Sequence, residues 1–196
     1  MYSRKIEFII QPSFYIGVAV ALLVIPLPLL FGWLAAAVIH EVSHCLMLRL
    51  CRCRIFAVRL DSFSAEIVTE ELSNRQAFLC ALAGPVGGLL PVLFSKWVPV
   101  MALCSILQTG FNLLPLFPMD GGRAVESLAK HFFSKDIAKK VCNFLEIGIL
   151  LVLAAGVAYL TYRYSLSLLP LAAVCLLLLR RWKINTSCKP RHLRVQ

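Results

Sequence analysis

The apolar run from Phe14 to Leu48 constrains this chain more than any other feature. A helix needs about 20 apolar residues to cross a bilayer. The run is therefore long enough for two spans if the chain turns inside it, and Pro26, Pro28 and Gly32 in "IPLPLLFGW" supply the turn. Further apolar runs cover residues 76–95, 97–114, 142–160 and 165–179. At 60% hydrophobic residues and mean hydropathy +0.81, the chain carries more apolar surface than a soluble fold of 196 residues hides. The expectation is an all-α polytopic membrane protein, one domain over 1–196, with six transmembrane helices at about 14–31, 33–50, 76–95, 97–114, 142–160 and 165–179 and no separate soluble domain. The first apolar run continues too long for a cleaved signal peptide. Between the second and third spans, "CRCRIFAVRLDSFSAEIVTEELSNRQ" alternates in part and is rich in β-formers from Ile55 to Val68, which predicts a short β-hairpin-like insertion. Ser73 followed by Gln76 reads as a capping box opening the third span.

The positive charges test this layout independently. Eighteen of the twenty Lys and Arg residues fall on alternate connections and both ends, a strong bias that marks those segments as cytoplasmic. Both termini are then cytoplasmic, and spans two and four both run from outside to inside. The formal charge of +10 reports membrane orientation and attraction to anionic lipid rather than nucleic-acid binding. The eight cysteines, several inside apolar runs, are not a disulfide framework. Cys51 and Cys53 lack the spacing of a usual zinc knuckle.

Within span two, "HEVSH" places ionisable side chains where lipid makes them costly, which marks a functional site. His40 and His44 are four residues apart, so a helix sets them on one face one turn apart, able to grip one metal ion. This is the H-E-x-x-H zinc spacing. Zinc suits neutral imidazole nitrogen, and a catalytic site takes three protein ligands and keeps a position for water. Glu41 is placed to take a proton from that water as it attacks a carbonyl. His44 lies five residues before Arg49, on the order of 7 Å inside the boundary. At matching depth and side, Asp120 closes the apolar stretch "FNLLPLFPMDGGR" and supplies the third ligand. Pro115 and Pro118 should break helix four near Leu114, and Gly121 and Gly122 should permit a sharp turn that aims Asp120 inward. Asn112, just before the break, is placed to bond a substrate carbonyl or a developing oxyanion. Interhelical glue is the other role open to it.

"HEVSH" in one span, followed some seventy residues later by "NLLPLFPMDGG", resembles the site-2 protease family of intramembrane zinc metalloproteases. The compact six-span layout is most similar to the bacterial stage IV sporulation protein FB branch. The resemblance implies His40, His44 and Asp120 as zinc ligands, Glu41 as general base and Asn112 as a substrate or oxyanion contact. "AGPVGG", residues 83–88, resembles the glycine-containing motif of the family's middle core helix, where close helix packing is the expected role. The activity implied is hydrolysis of a peptide bond in or near the transmembrane segment of a membrane-associated protein, close to the cytoplasmic face. In the sporulation branch this is regulated intramembrane proteolysis of a transcription-factor precursor. The implied setting is a bacterial cell membrane, with the lipid bilayer and a membrane-embedded substrate as partners and room for a membrane inhibitory partner. That branch usually carries a nucleotide-sensing CBS domain, and here the sequence ends soon after Leu179 in a basic tail, so ATP control through such a domain is not expected.

Two other classes are compatible with acid and base residues in lipid: a proton- or metal-coupled transporter, whose site should lie near the midplane, and a catalytically inactive scaffold, which has no need of Glu41. Glu146, near the start of span five, either faces the active-site cavity or is solvated at the interface. Arg123 and Glu126 either steady the Asp120 turn or open an interfacial helix, and His131 reads as a solvated residue. A substrate must present extended chain, because an intact helix hides its carbonyls. The 54–67 segment is expected to offer it a strand edge.

Overall fold

The computed structural model describes residues 7–60 and 65–164. Strand β1 (Glu7–Ile10) leads into helices α1 (Pro12–Val24) and α2 (Leu27–Leu50). Strands β2 (Ile55–Leu60) and β3 (Ala65–Thr69) follow. The remaining elements are helices α3 (Asn74–Gly88), α4 (Leu90–Leu93), α5 (Pro99–Asn112), α6 (Asp120–Phe132) and α7 (Lys135–Tyr164). The chain divides after Cys142: the first unit runs from β1 into the start of α7, and the described part of the second is the rest of α7.

Among the described residues, three stretches are long and apolar enough to cross a membrane: Leu27–Leu50, Asn74–Leu93 and Lys135–Arg163. Helices α1 and α5, with 13 and 14 residues, are shorter than the ~20 needed. The expected first and fourth spans thus form as shorter helices, and the expected sixth, 165–179, lies outside the described residues. The expected break between the first two spans is confined to Ile25 and Pro26. Pro28 sits in the first turn of α2, where no intrahelical donor is lost. Gly32 lies within that helix, where a Cβ would come 3.1 Å from Val100 Cγ1 and 3.4 Å from Cys104 Sγ of α5.

The expected hairpin forms, with β2 and β3 antiparallel, but the sheet has a third member: β1 pairs parallel to β2, giving the order β1-β2-β3. The architecture is mostly helical with a small three-stranded sheet, two strands of which are the expected insertion. Among the described residues β2 is the central strand, and the edges of the sheet belong to β1 and β3.

Helix α2 shows how the bundle distributes polarity. Ala36, His40, His44 and Leu48, four residues apart, are buried, while Val38, Val42, Leu46 and Leu50 are exposed. Small and polar groups face the neighbouring helices and large aliphatic ones face outward, the arrangement suited to a lipid surround. On α5, Ala102, Ser105 and Thr109 are likewise buried and Leu103, Ile106, Leu107 and Phe111 exposed. Helix α2 packs on α3 and α5, and α3 packs on α6. Gly32 meets Val100 and Cys104 while His40 meets Asn112, so α2 and α5 run parallel. His44 meets Cys80 while Gly88 meets His40, so α3 returns antiparallel between them.

The ends of these helices are fixed by local chemistry. The Ser73 hydroxyl accepts from Gln76 N–H, and the Gln76 side chain accepts from Ser73 N–H at 3.0 Å, the expected capping box. Helix α2 stops at Cys51 and Arg52. Arg52 takes φ 56°, Cys53 N–H donates to Leu48 O at 2.9 Å and Arg52 N–H to Arg49 O at 3.0 Å. That pair of bonds is a Schellman stop with arginine in the left-handed position usually given to glycine. The Cys51 and Cys53 pair brackets this stop, and the Cys51 carbonyl also accepts from Gln76 Nε2, tying the end of α2 to the start of α3.

Candidate metal centre

The site is built where α2, α3, α5 and α6 converge. Helix α5 ends at Asn112 and the chain runs without regular structure through Pro115 and Pro118 until α6 begins at Asp120. The break foreseen near Leu114 is present. The glycines after it act differently from the expected turn: Gly121 and Gly122 lie in the first turn of α6, and neither has a positive φ. Their contribution is closeness. A Cβ on Gly121 would run into Leu113 O, and one on Gly122 would lie 2.6 Å from the Leu116 carbonyl carbon and oxygen. Without side chains there, the α6 start packs directly on the irregular segment and Asp120 is carried inward, only 8% exposed.

His40, His44 and Asp120 come together as the only group of three potential metal-ligating side chains among the described residues. His40 Nε2 lies 2.9 Å from Asp120 Oδ2, His44 Nε2 lies 3.3 Å from the same oxygen, and the two Nε2 atoms are 3.1 Å apart. A tetrahedral ion with ligands at 2.0–2.1 Å needs ligand atoms about 3.3 Å from one another. The donor triangle fits one face of that tetrahedron and leaves the fourth direction for water or substrate. Proton bookkeeping agrees. His44 Nδ1 sits 2.7 Å from the Cys80 carbonyl oxygen, which can only accept, so Nδ1 carries the proton and a neutral His44 turns its Nε2 lone pair toward the carboxylate. Lone pairs gathered this closely in a buried place call for a cation.

The rest of the constellation surrounds this triangle. Asn112 Nδ2 is 3.3 Å from His40 Nε2. Glu41, half-buried, lies within electrostatic reach of His44, His40, Asp120 and Arg123. Helix α3 closes the floor: Gly84 is buried, and a Cβ there would meet His44 Nε2 and lie 2.7 Å from His40 Nε2. A Cβ on Gly87 would meet Ser43 Oγ, which donates to Ile39 O at 2.7 Å within its own helix. The "AGPVGG" segment is thus a packing surface, as expected, and the groups it packs on are the two histidines. Glu126 pairs with Lys130 at 2.7 Å along α6. The Cys80 carbonyl could not be foreseen, since backbone acceptors leave no mark in sequence.

Residues 72–155 match the sequence model of Peptidase family M50. The matched segment contains "AGPVGG", Asn112 and Asp120. His40, Glu41 and His44 precede it and are joined to it by the fold. The chain shares the fold of a site-2 protease. The solved structure of the site-2 protease from Methanocaldococcus jannaschii superposes with a TM-score of 0.61 at 16% identity, covering 90% of this chain and 90% of that one. No curated protein matches the sequence.

Proposed function

We propose that this protein is an intramembrane zinc metalloprotease that cleaves a peptide bond in or next to the membrane segment of its substrate. The observation that carries the reading is the convergence of His40, His44 and Asp120 Oδ2 within 3.3 Å, with Glu41 adjacent in the chain to the first ligand. The family match of residues 72–155 and the site-2 protease fold support it.

A zinc ion in this triad supplies Lewis acidity, polarising the scissile carbonyl and making water a stronger acid. The protein supplies the rest. Glu41 takes the proton of the water as its oxygen bonds to the scissile carbonyl carbon, then gives that proton to the amine nitrogen, so that the peptide C–N bond breaks with a neutral amine leaving. The Asn112 amide donates to the oxygen on which negative charge develops. The Cys80 carbonyl holds His44 in one tautomer and orientation, the outer support a ligating histidine needs.

On this reading both termini, and the site in the C-terminal half of α2, lie on the cytoplasmic side of a bacterial membrane, with the bias of Lys and Arg toward alternate connections as the support for that orientation. A membrane-tethered transcription-factor precursor, as in sporulation-type regulated proteolysis, is the substrate class this reading favours. A membrane-embedded inhibitor and the bilayer itself are the other partners, and nucleic acid is not one. The free edge of β3 is the place for the unwound substrate strand. The test is metal analysis of the purified full chain, followed by cleavage of a labelled single-span peptide carrying a Gly-Pro break in its membrane segment. Wild type should hold one zinc and cleave. Glu41→Gln should hold zinc and lose activity about 10²- to 10⁴-fold. A Glu41→Gln protein that cleaves at the wild-type rate refutes the mechanism, and a wild type without zinc refutes the metalloprotease.

A further inference from the structure

The two histidines of the triad are supported unequally. His44 Nδ1 has the Cys80 carbonyl at 2.7 Å. His40 is more deeply buried, 3% exposed against 7%, yet its Nδ1 has no partner among the described residues. A ligating histidine whose other nitrogen is unheld is free to tilt, and a buried polar atom without a partner is rare in a native protein. The same stretch of interior contains a second such atom. Thr109 is 3% exposed and its hydroxyl is also unpartnered, although a helical threonine has its own preceding carbonyls within reach. Both atoms border the same side of Gly88, where a Cβ would lie 3.0 Å from Thr109 Oγ1 and 3.3 Å from His40 Nδ1. Glycine at this position is what keeps the gap between donor and acceptor clear of side chain.

We propose that Thr109 is a positioning residue for His40, its hydroxyl taking the Nδ1–H through one buried water beside Gly88. A buried water of this kind bridges polar groups that cannot otherwise be satisfied. Threonine suits the place because its hydroxyl both donates and accepts, so it can receive the water's hydrogen and direct its own elsewhere. The two ligating histidines are then held by different means, one by the α3 backbone and the other by the α5 side chain. Helix α5 contributes Asn112 to the front of the site and Thr109 to its back.

The inference rests on the metal reading above, and its test separates the two. Zinc affinity of the full chain in detergent is measured by chelator competition for wild type, Thr109→Val, which keeps the shape without the hydroxyl, and Thr109→Ser, which restores the hydroxyl. Thr109→Val should bind zinc about 10- to 100-fold more weakly, with Thr109→Ser within about threefold of wild type. Wild-type affinity in Thr109→Val overturns the proposal while leaving the metal centre standing. Equal loss in both variants also overturns it, since the residue would then act by packing. A wild type that binds no zinc removes both readings together. If Thr109→Val fails to fold, proton resonances of the imidazole N–H groups in zinc-loaded wild type decide the matter. The His40 Nδ1–H should resonate in the hydrogen-bonded range, as the His44 Nδ1–H does against its carbonyl, and an unbonded position overturns the assignment.

Discussion

Replacing Gly84 by alanine should destroy the metal centre. The added Cβ meets His44 Nε2 and lies 2.5 Å from His44 Cε1 and 2.7 Å from His40 Nε2. Optimal contact between such atoms is about 3.5–4.0 Å, so each imidazole must retreat by about 1 Å. All three atoms are the far ends of side chains, and the collision is relieved by swinging the rings rather than by separating the helices. A metal site tolerates ligand displacements of only ~0.2 Å, so the strain falls on the ion. Zinc affinity should drop at least about 100-fold, equivalent to about 2.8 kcal/mol. Gly87→Ala is the matched control: its Cβ meets the Ser43 hydroxyl instead of a ligand, so it should lower the melting temperature yet hold zinc within a few-fold of wild type. Gly110, with nothing within 4 Å of an added Cβ, serves as the neutral substitution. Chelator competition and thermal unfolding in detergent, run side by side on the three variants, give both readouts. Wild-type zinc affinity in Gly84→Ala would refute the claim that α3 forms the floor of the site.

Other outcomes follow from the same geometry. Asn112→Ala should retain zinc and lower kcat about 10²- to 10³-fold, as expected for loss of an oxyanion donor; a change in KM alone would assign Asn112 to substrate binding instead. Ser73→Ala removes the hydroxyl half of the α3 capping box and should cost about 0.5–2 kcal/mol of stability, visible as a lower melting temperature at unchanged zinc stoichiometry. At Glu66 and Ile67, successive residues of β3, backbone N–H groups point to opposite edges. Of the two proline variants, the one that spares pairing with β2 should keep zinc and still slow cleavage, and undiminished cleavage in that variant would remove β3 as the substrate strand.

The site was more legible than the architecture around it. His40 and His44 declare themselves by helical spacing, and Asp120 by its depth relative to the basic boundary, so a group joined across 80 residues could be assembled from local signals. The Ser73 cap, the hairpin and the helix break before Asp120 rest on side-chain chemistry that acts over a few residues, and all three are present. Strand β1 leaves no mark in the sequence, because its partner β2 lies more than forty residues away and "EFII" has no alternation of its own. Pro28 and Gly32 read as turn residues in the sequence, yet α2 already begins at Leu27. A proline in the first helical turn and a glycine at a helix crossing leave the same mark. The sequence suggests a conformational role for Gly121 and Gly122, whereas their use is steric, a distinction visible only once Leu113 and Leu116 are placed against them.

The return of the chain to His40 from Asp120 also has a meaning for assembly. An ion held by both joins the start of α6 to the middle of α2 and closes a long loop of chain. The cost of closing a flexible loop rises only with the logarithm of its length, about 0.6 kcal/mol per doubling, so the long detour through two strands and three helices adds little to it. Binding energy at the centre is thereby also cohesion for the bundle. On the proposed function, a chelator that strips the ion would stop hydrolysis and at the same time unfasten the segment that completes the site, so the protein's inactive form and its loosened form would be one species.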